Sequence, residues 1–231
     1  MNLHDLLSNP PKLHQDGSDT LVSWKASDEV LSFIDRYVNE TSKTLETGAG
    51  VSTILFALKG SNHTCVVPDK NQVELILDYC KQNNISTDKC NFQIEMSETI
   101  LPKLEINELD IVLIDGRHAF PTPFIDWYYT SSMLKVGGTL IVDDTQLATG
   151  DVLKKFLLSE PEWKLQKDFL KASAFIKVRE GSHSKEWDRQ PYITRNSTKL
   201  VKLYELRRAL QLLRNGELGK LINKGLENFG V

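Results

Sequence analysis

Leu109-Asp110-Ile111-Val112-Leu113-Ile114-Asp115-Gly116-Arg117-His118 is the stretch that decides how this chain folds. Leu109 to Ile114 is an almost unbroken apolar run, the pattern of a strand buried on both faces and hence of a parallel sheet covered by helices. The run is closed by an acid, Asp115. Ligands in such sheets bind outside the carboxyl ends of the strands, so the residues that predict the architecture also mark where chemistry would lie.

Working outward, the same logic repeats. Upstream, Thr44 to Thr47 reads as a short strand ending in glycines, Val51 to Leu58 as a helix and Thr64 to Val67 as a buried strand. Val73, Leu75, Ile76, Leu77 and Cys80 mark a helix that ends near Asn83-Asn84. Phe92 to Met96 reads as a strand, with a short helix near Glu98 to Leu104. Downstream, Pro121 and Pro123 lead into an aromatic-rich helix from Phe124 to Leu134. Lys135-Val136-Gly137-Gly138 reads as a turn before a strand from Thr139 to Val142. A helix from Asp151 to Leu158 precedes two final strands, Trp163 to Phe169 and Ala174 to Val178, whose short link predicts an antiparallel hairpin. Alternating β and α elements of this kind predict an α/β fold: a Rossmann-like, doubly wound, mostly parallel sheet with a C-terminal antiparallel hairpin.

The expected organisation has three parts. Residues 1–26 carry Pro10, Pro11 and Gly17 and read as a polar lead-in rather than core. Residues 27–180 form the core, opened by a helix that Ser27 caps and that carries Val30, Leu31, Phe33, Ile34 and Val38 at helical spacing. Residues 181–231 form a linker and a helical C-terminal extension, with Leu203, Leu206, Leu210 and Leu213 in one piece and Leu218, Leu221 and Ile222 in another. Such an extension packs on the core or on a second subunit, as in a homodimer; a basic face resting on a membrane is the lesser alternative.

Composition bounds the function. The chain has 231 residues, 40% hydrophobic and 26% charged, enough for one full-sized core. A net charge of -3 argues against a dedicated nucleic-acid binder, which would carry a basic excess. Three cysteines, Cys65, Cys80 and Cys90, without C-x-x-C spacing suit a reducing compartment, and no signal pattern or membrane-spanning apolar run is present, so the expected location is the cytoplasm.

Three strand ends carry ionisable or glycine-rich segments. In Leu45-Glu46-Thr47-Gly48-Ala49-Gly50-Val51, glycines let the backbone turn tightly and approach a ligand, although a strand-to-helix turn uses glycine in any case. In Asp115-Gly116-Arg117-His118, an ionisable cluster ends a buried strand, where unpaired charge is costly. His118 reads as a functional group or as a structural hydrogen-bonding histidine. In Val142-Asp143-Asp144, adjacent carboxylates repel and favour a cation between them, unless the pair is a solvated, helix-capping turn. With Asp115 on a neighbouring strand, three carboxylates converge, a donor set suited to Mg²⁺ or a similar cation.

These residues resemble the class I S-adenosylmethionine (SAM)-dependent methyltransferases over roughly residues 27–179. Glu46 to Gly50 is similar to the family's cofactor loop. Asp115-Gly116-Arg117-His118, followed by Lys135-Val136-Gly137-Gly138 and Val142-Asp143-Asp144, resembles a subgroup of small bacterial methyltransferases with an IDG-x-H segment, which includes sugar O-methyltransferases. The same segments are similar to metal-dependent catechol O-methyltransferase. The resemblance implies SAM as cofactor, with Glu46, Thr47, Gly48, Ala49, Gly50, Asp69, Ser97, Glu98 and Asp115 along it. It also implies Asp115, Asp143 and Asp144 as ligands of a divalent cation, and His118 with Asp115 as the catalytic pair. The implied activity is metal-assisted O-methylation of a small molecule or sugar. Where the family usually has acids after its second and third strands, this chain has Pro68 and Met96, with Asp69 and Glu98 close by. That departure motivates the alternative, a non-catalytic member that keeps the fold as a binding or assembly module.

Overall fold

The computed structural model describes residues 1–15, 20–181 and 185–216. The chain divides near residue 183 into two units.

In the first unit, α1 (Leu3–Ser8) and a small antiparallel pair, β1 (His14–Gln15) and β2 (Leu21–Val22), precede α2 (Asp28–Tyr37). There follow β3 (Lys43–Thr47), α3 (Val51–Leu58), β4 (Asn62–Val66), α4 (Lys70–Gln82), β5 (Cys90–Gln93), α5 (Ser97–Ile100) and β6 (Leu109–Ile114). Then come α6 (Thr122–Met133), β7 (Leu134–Val142), α7 (Ala148–Ser159), β8 (Trp163–Asp168) and β9 (Ser173–Lys177). The second unit contains a 3₁₀ turn, Trp187–Arg189, and one long helix, α8 (Pro191–Arg214). Leu203, Leu206, Leu210 and Leu213 all lie on α8 and are exposed. The further helical piece expected around Leu218, Leu221 and Ile222 lies outside the described residues.

The seven long strands form one sheet in the order β5-β4-β3-β6-β7-β9-β8. All pairings from β5 to β7 are parallel, and β9 is antiparallel to both β7 and β8. The mostly parallel sheet and terminal hairpin are as expected. The chain starts at the sheet's centre, winds to the β5 edge, then returns to place β6 beside β3. That reversal opens a crevice at the carboxyl ends of β3 and β6. Helices α2, α3 and α4 pack in one layer and α5, α6 and α7 in another. Helix α3 is buried from Val51 to Ala57, and each of Ile54, Leu55 and Phe56 contributes about 1.5–3 kcal/mol by leaving water.

Three local expectations are corrected. The first residues are not outside the core: Leu6 and Leu13 are buried in the same cluster as Ile34 and Phe56. Prolines and polar residues around them obscure two apolar anchors. The strand expected from Phe92 to Met96 runs instead from Cys90 to Gln93, because pairing with β4 sets Asn91 against Thr64 and leaves Ile94 and Met96 exposed. Lys135 to Gly138 is not a turn between elements but an excursion inside β7. Leu134 pairs with Leu109 and Thr139 already pairs with Ile111, with Gly137 at φ +87° absorbing the bulge.

Candidate active site at the carboxyl edge of the sheet

The crevice is built first from glycines. Gly48 has φ +89°, and a Cβ there would lie 2.2 Å from the Asp115 carbonyl oxygen. Gly116 faces it from β6, where a Cβ would lie 3.3 Å from Gly48 N. The two glycines let the ends of β3 and β6 approach, and the Asp115 amide donates to Thr47 O at 3.0 Å.

Successive residues of β3 point to opposite faces. Glu46 points toward α3 and is fully engaged there. Ser52 Oγ donates to Oε2 at 2.7 Å, Thr53 Oγ1 donates to Oε1, and His63 Nε2 lies 3.1 Å from Oε1. Thr53 Oγ1 also accepts the Gly50 amide at 2.9 Å, so Glu46 fixes the start of α3 through this hydroxyl. Cys65 Sγ completes a buried Glu46–His63–Cys65 group with metal-ligand spacing, and it already donates to Gly48 O at 3.3 Å. Burial, with Glu46 nearby, pushes the Cys65 thiol well up, so it stays a neutral hydrogen-bond donor.

The amino-terminal strands reach this loop. The Trp24 amide donates to His14 Nδ1 at 3.4 Å, which leaves His14 Nε2 to carry its proton to Ala49 O at 3.2 Å. Burial holds His14 below the ordinary histidine range, in keeping with that neutral tautomer. Gln72 Nε2 donates to the same carbonyl at 2.7 Å.

The acidic side of the crevice gathers Asp115, His118 and Asp144, whose ligating atoms lie within 4.8 Å of one another. His118 Nε2 is 2.9 Å from Asp144 Oδ2. Asp144 has φ +51°, a left-handed conformation that aspartate tolerates and that closes this turn. Gly150 lets α7 pack beneath it, since a Cβ there would lie 2.5 Å from Asp144 O. Asp143 is differently placed: its Oδ1 accepts the Asp144 amide at 2.9 Å. Burial, then Asp143, Glu46 and Asp144, push the Asp115 carboxyl well above the usual range. Burial also raises Asp143, against the pull of the Asp144 amide, His118 and Lys171. Carboxylates gathered in this way relieve their repulsion by holding a proton or a cation.

Asp69, Ser97 and Glu98 follow the carboxyl ends of β4 and β5. Asp69 caps α4, its Oδ1 accepting the amides of Asn71 and Gln72 at 2.9 and 3.3 Å. Met96 holds the N-cap position of α5 and is exposed, so Ser97 and Glu98 form the first turn.

One further residue belongs to this edge and escaped the sequence reading. Asp126, on α6, is buried, and neither carboxylate oxygen has a hydrogen-bond partner among the described residues. The Thr47 and Ser97 hydroxyls face it, and Thr47 Oγ1 is itself buried and unpaired. Burial pushes the Asp126 carboxyl up to about 6. Its one sequence signal is an acid among Pro123, Trp127 and Thr130, helix positions that are all buried.

No family model matches this sequence, and no curated protein matches it. Solved structures do match the fold. The cofactor-bound Rv0187 from MTB superposes with a TM-score of 0.58 at 14% identity, over 68% of this chain and 83% of that one. The O-methyltransferase NovP gives 0.55 at 16% identity, over 66% and 81%. SMU.1697c from Streptococcus mutans, solved in complex with SAH, gives 0.53 at 12% identity, over 67% and 99%. At these identities the likeness is one of fold, and the chain has the Rossmann-like fold that these structures share.

Proposed function

We propose that the protein is a SAM-dependent methyltransferase that methylates a hydroxyl of a small molecule or sugar with the help of a divalent cation. The observation that carries this reading is the meeting of Asp115, His118 and Asp144 beside the Gly48 turn, at the point where the strand order reverses. SAM, when bound, would supply an electrophilic methyl group on its sulfonium sulfur. Glu46 to Gly50 line the methionine side of that pocket, with Glu46 acting through Ser52 and Thr53 to hold the loop. Asp69 and the Ser97-Glu98 turn stand on the nucleoside side.

The acidic cluster fits a hard cation. Asp115 and Asp144 present oxygen donors within one coordination sphere, Asp143 lies alongside, and their mutual repulsion is what a cation would relieve. Mg²⁺ or a similar ion held there would supply the charge that lowers the acceptor hydroxyl's pKa. His118 takes the hydroxyl proton on Nδ1, while its Nε2–H donates to Asp144 Oδ2, and Asp144 thereby orients the ring for that transfer. Asp115, at the base of the crevice, positions the acceptor oxygen relative to the Gly48 turn.

A second reading, a binding module without turnover, is favoured by the use of Asp69 Oδ1 as a helix cap and by exposed Met96 in place of an acid. Calorimetric titration with SAM and S-adenosylhomocysteine, with and without Mg²⁺, separates the two. Micromolar binding strengthened by Mg²⁺, with methyl transfer lost in His118→Ala, is the expected result. Absence of nucleoside binding would replace the enzyme with the binding module.

A further inference from the structure

Glu46 and Asp126 are buried carboxylates on opposite faces of the end of β3, and only one of them is satisfied. Glu46 has Ser52, Thr53 and His63 around it. Asp126 is fully buried with both oxygens unpaired among the described residues, beside a Thr47 hydroxyl that is equally buried and unpaired among them. An unpaired buried carboxylate is among the costliest groups a fold can keep, and an apolar residue would serve better if packing were its whole role. Its surroundings point to a use. Thr47 immediately precedes Gly48, so it belongs to the glycine turn. Ser97 opens the turn after β5, on the nucleoside side. Helix α6, which carries Asp126, packs against both α5 and β6. One carboxylate thus faces hydroxyls from two loops that share no other described side-chain hydrogen bond.

We propose that Asp126 is a positioning residue of the nucleoside end of the donor pocket: it accepts the Thr47 and Ser97 hydroxyls together and so sets the spacing of the two loops between which the donor lies. The inference rests on the methyltransferase reading above. Two hydroxyl bonds to one carboxylate form together only over a narrow range of loop separation, which is how a single acid can tie the two loops. Bonds to an ionised acceptor are stronger than neutral ones, so a donor that holds the loops at that separation gains from both. Exposed Glu98, next to Ser97, disfavours the ionised form of Asp126 by like charge, which hydroxyl donors to that carboxylate offset.

The test is calorimetric titration of S-adenosylhomocysteine into the full chain and its Asp126→Ala, Asp126→Asn, Ser97→Ala and Asp126→Ala/Ser97→Ala variants, each with a thermal melt to establish folding. Asp126→Ala is expected to weaken binding roughly 10- to 100-fold, Asp126→Asn less because one acceptor oxygen remains. The double variant should bind no more weakly than Asp126→Ala, since both changes break the same bond. A folded Asp126→Ala that binds like the wild type, or strictly additive losses in the double variant, overturns the proposal and leaves the methyltransferase reading standing. A wild-type protein that does not bind the nucleoside removes that reading and this one with it. If Asp126→Ala does not fold, Asp126→Asn with and without Ser97→Ala makes the same comparison, and additivity there is equally fatal.

Discussion

Glu46 and Asp126 share a chemistry and differ in their neighbours, and that difference has a measurable consequence for stability. Burial raises the Asp126 carboxyl from the ordinary 3.8 to about 6. Between those values the folded protein holds a proton that the unfolded chain has released. The native state therefore binds more protons in that window, and stability falls as pH rises through it, levelling off above about pH 6. Two pH units correspond to about 3 kcal/mol. Asp126→Asn removes the titrating group, so urea unfolding at pH 4.5 and 7.5 should show the variant gaining about 2 kcal/mol on the wild type at the higher pH, the part of the window that lies above pH 4.5. A difference that does not change with pH would mean Asp126 is ordinarily hydrated. Gly48 shows the same dependence on surroundings: its positive φ and the Asp115 carbonyl at its Cβ position exclude any side chain.

At the scale of elements, the strand ends matter more than the strands. β3, β6 and β7 run parallel, so their carboxyl ends deliver Glu46, Asp115 and Asp143-Asp144 to one edge. The antiparallel β9 is held against this layer by a buried cation. Lys177 Nζ donates to Ser131 O at 3.1 Å and Leu134 O at 2.6 Å, and pairs with exposed Glu180 at 2.9 Å. Those carbonyls lie at the end of α6, where a helix has unpaired acceptors and favours positive charge. Lys177→Met keeps the apolar stem and deletes the donors. It should cost about 2–4 kcal/mol in chemical denaturation, because buried carbonyls are left unpaired. A cost under about 0.5 kcal/mol, the size of a surface change, would show that water replaces the ammonium freely.

Across the whole molecule, the amino-terminal residues close the core and touch the site. Leu6 is fully buried, and His14 holds the carbonyl of Ala49 in the glycine turn. Leu6→Ala should therefore cost about 2–5 kcal/mol. Leu200→Ala, at a position 68% exposed on α8, should stay within about 0.5 kcal/mol. Equal, small effects in thermal or urea unfolding would contradict the place of residues 1–15 in the cooperative core. Among the described residues no helix is long and apolar enough to cross a membrane.

The sequence by itself determined the architecture, because strands buried on both faces must be almost wholly apolar, and Leu109 to Ile114 is, apart from half-buried Asp110 near its start. It also placed Ser27 as a helix cap, the span of α3, the final hairpin and the strand-end acids, each of which follows from neighbours in the chain. Phe92 to Met96 alternates well enough for several registers, and only pairing with β4 chose among them. Leu6 and Leu13 carry too short a pattern to be recognised until they are seen against Ile34 and Phe56. Which carboxylates are satisfied was likewise decided by tertiary structure. Glu46 meets Ser52, Thr53 and His63, and Asp144 meets His118, whereas Asp126 faces two hydroxyls without closing on either. The physical reason is one of range: hydrophobic period and turn chemistry are written in consecutive residues, but a polar side chain's partners come from segments far apart in the chain, and only the packed fold brings them within a hydrogen bond.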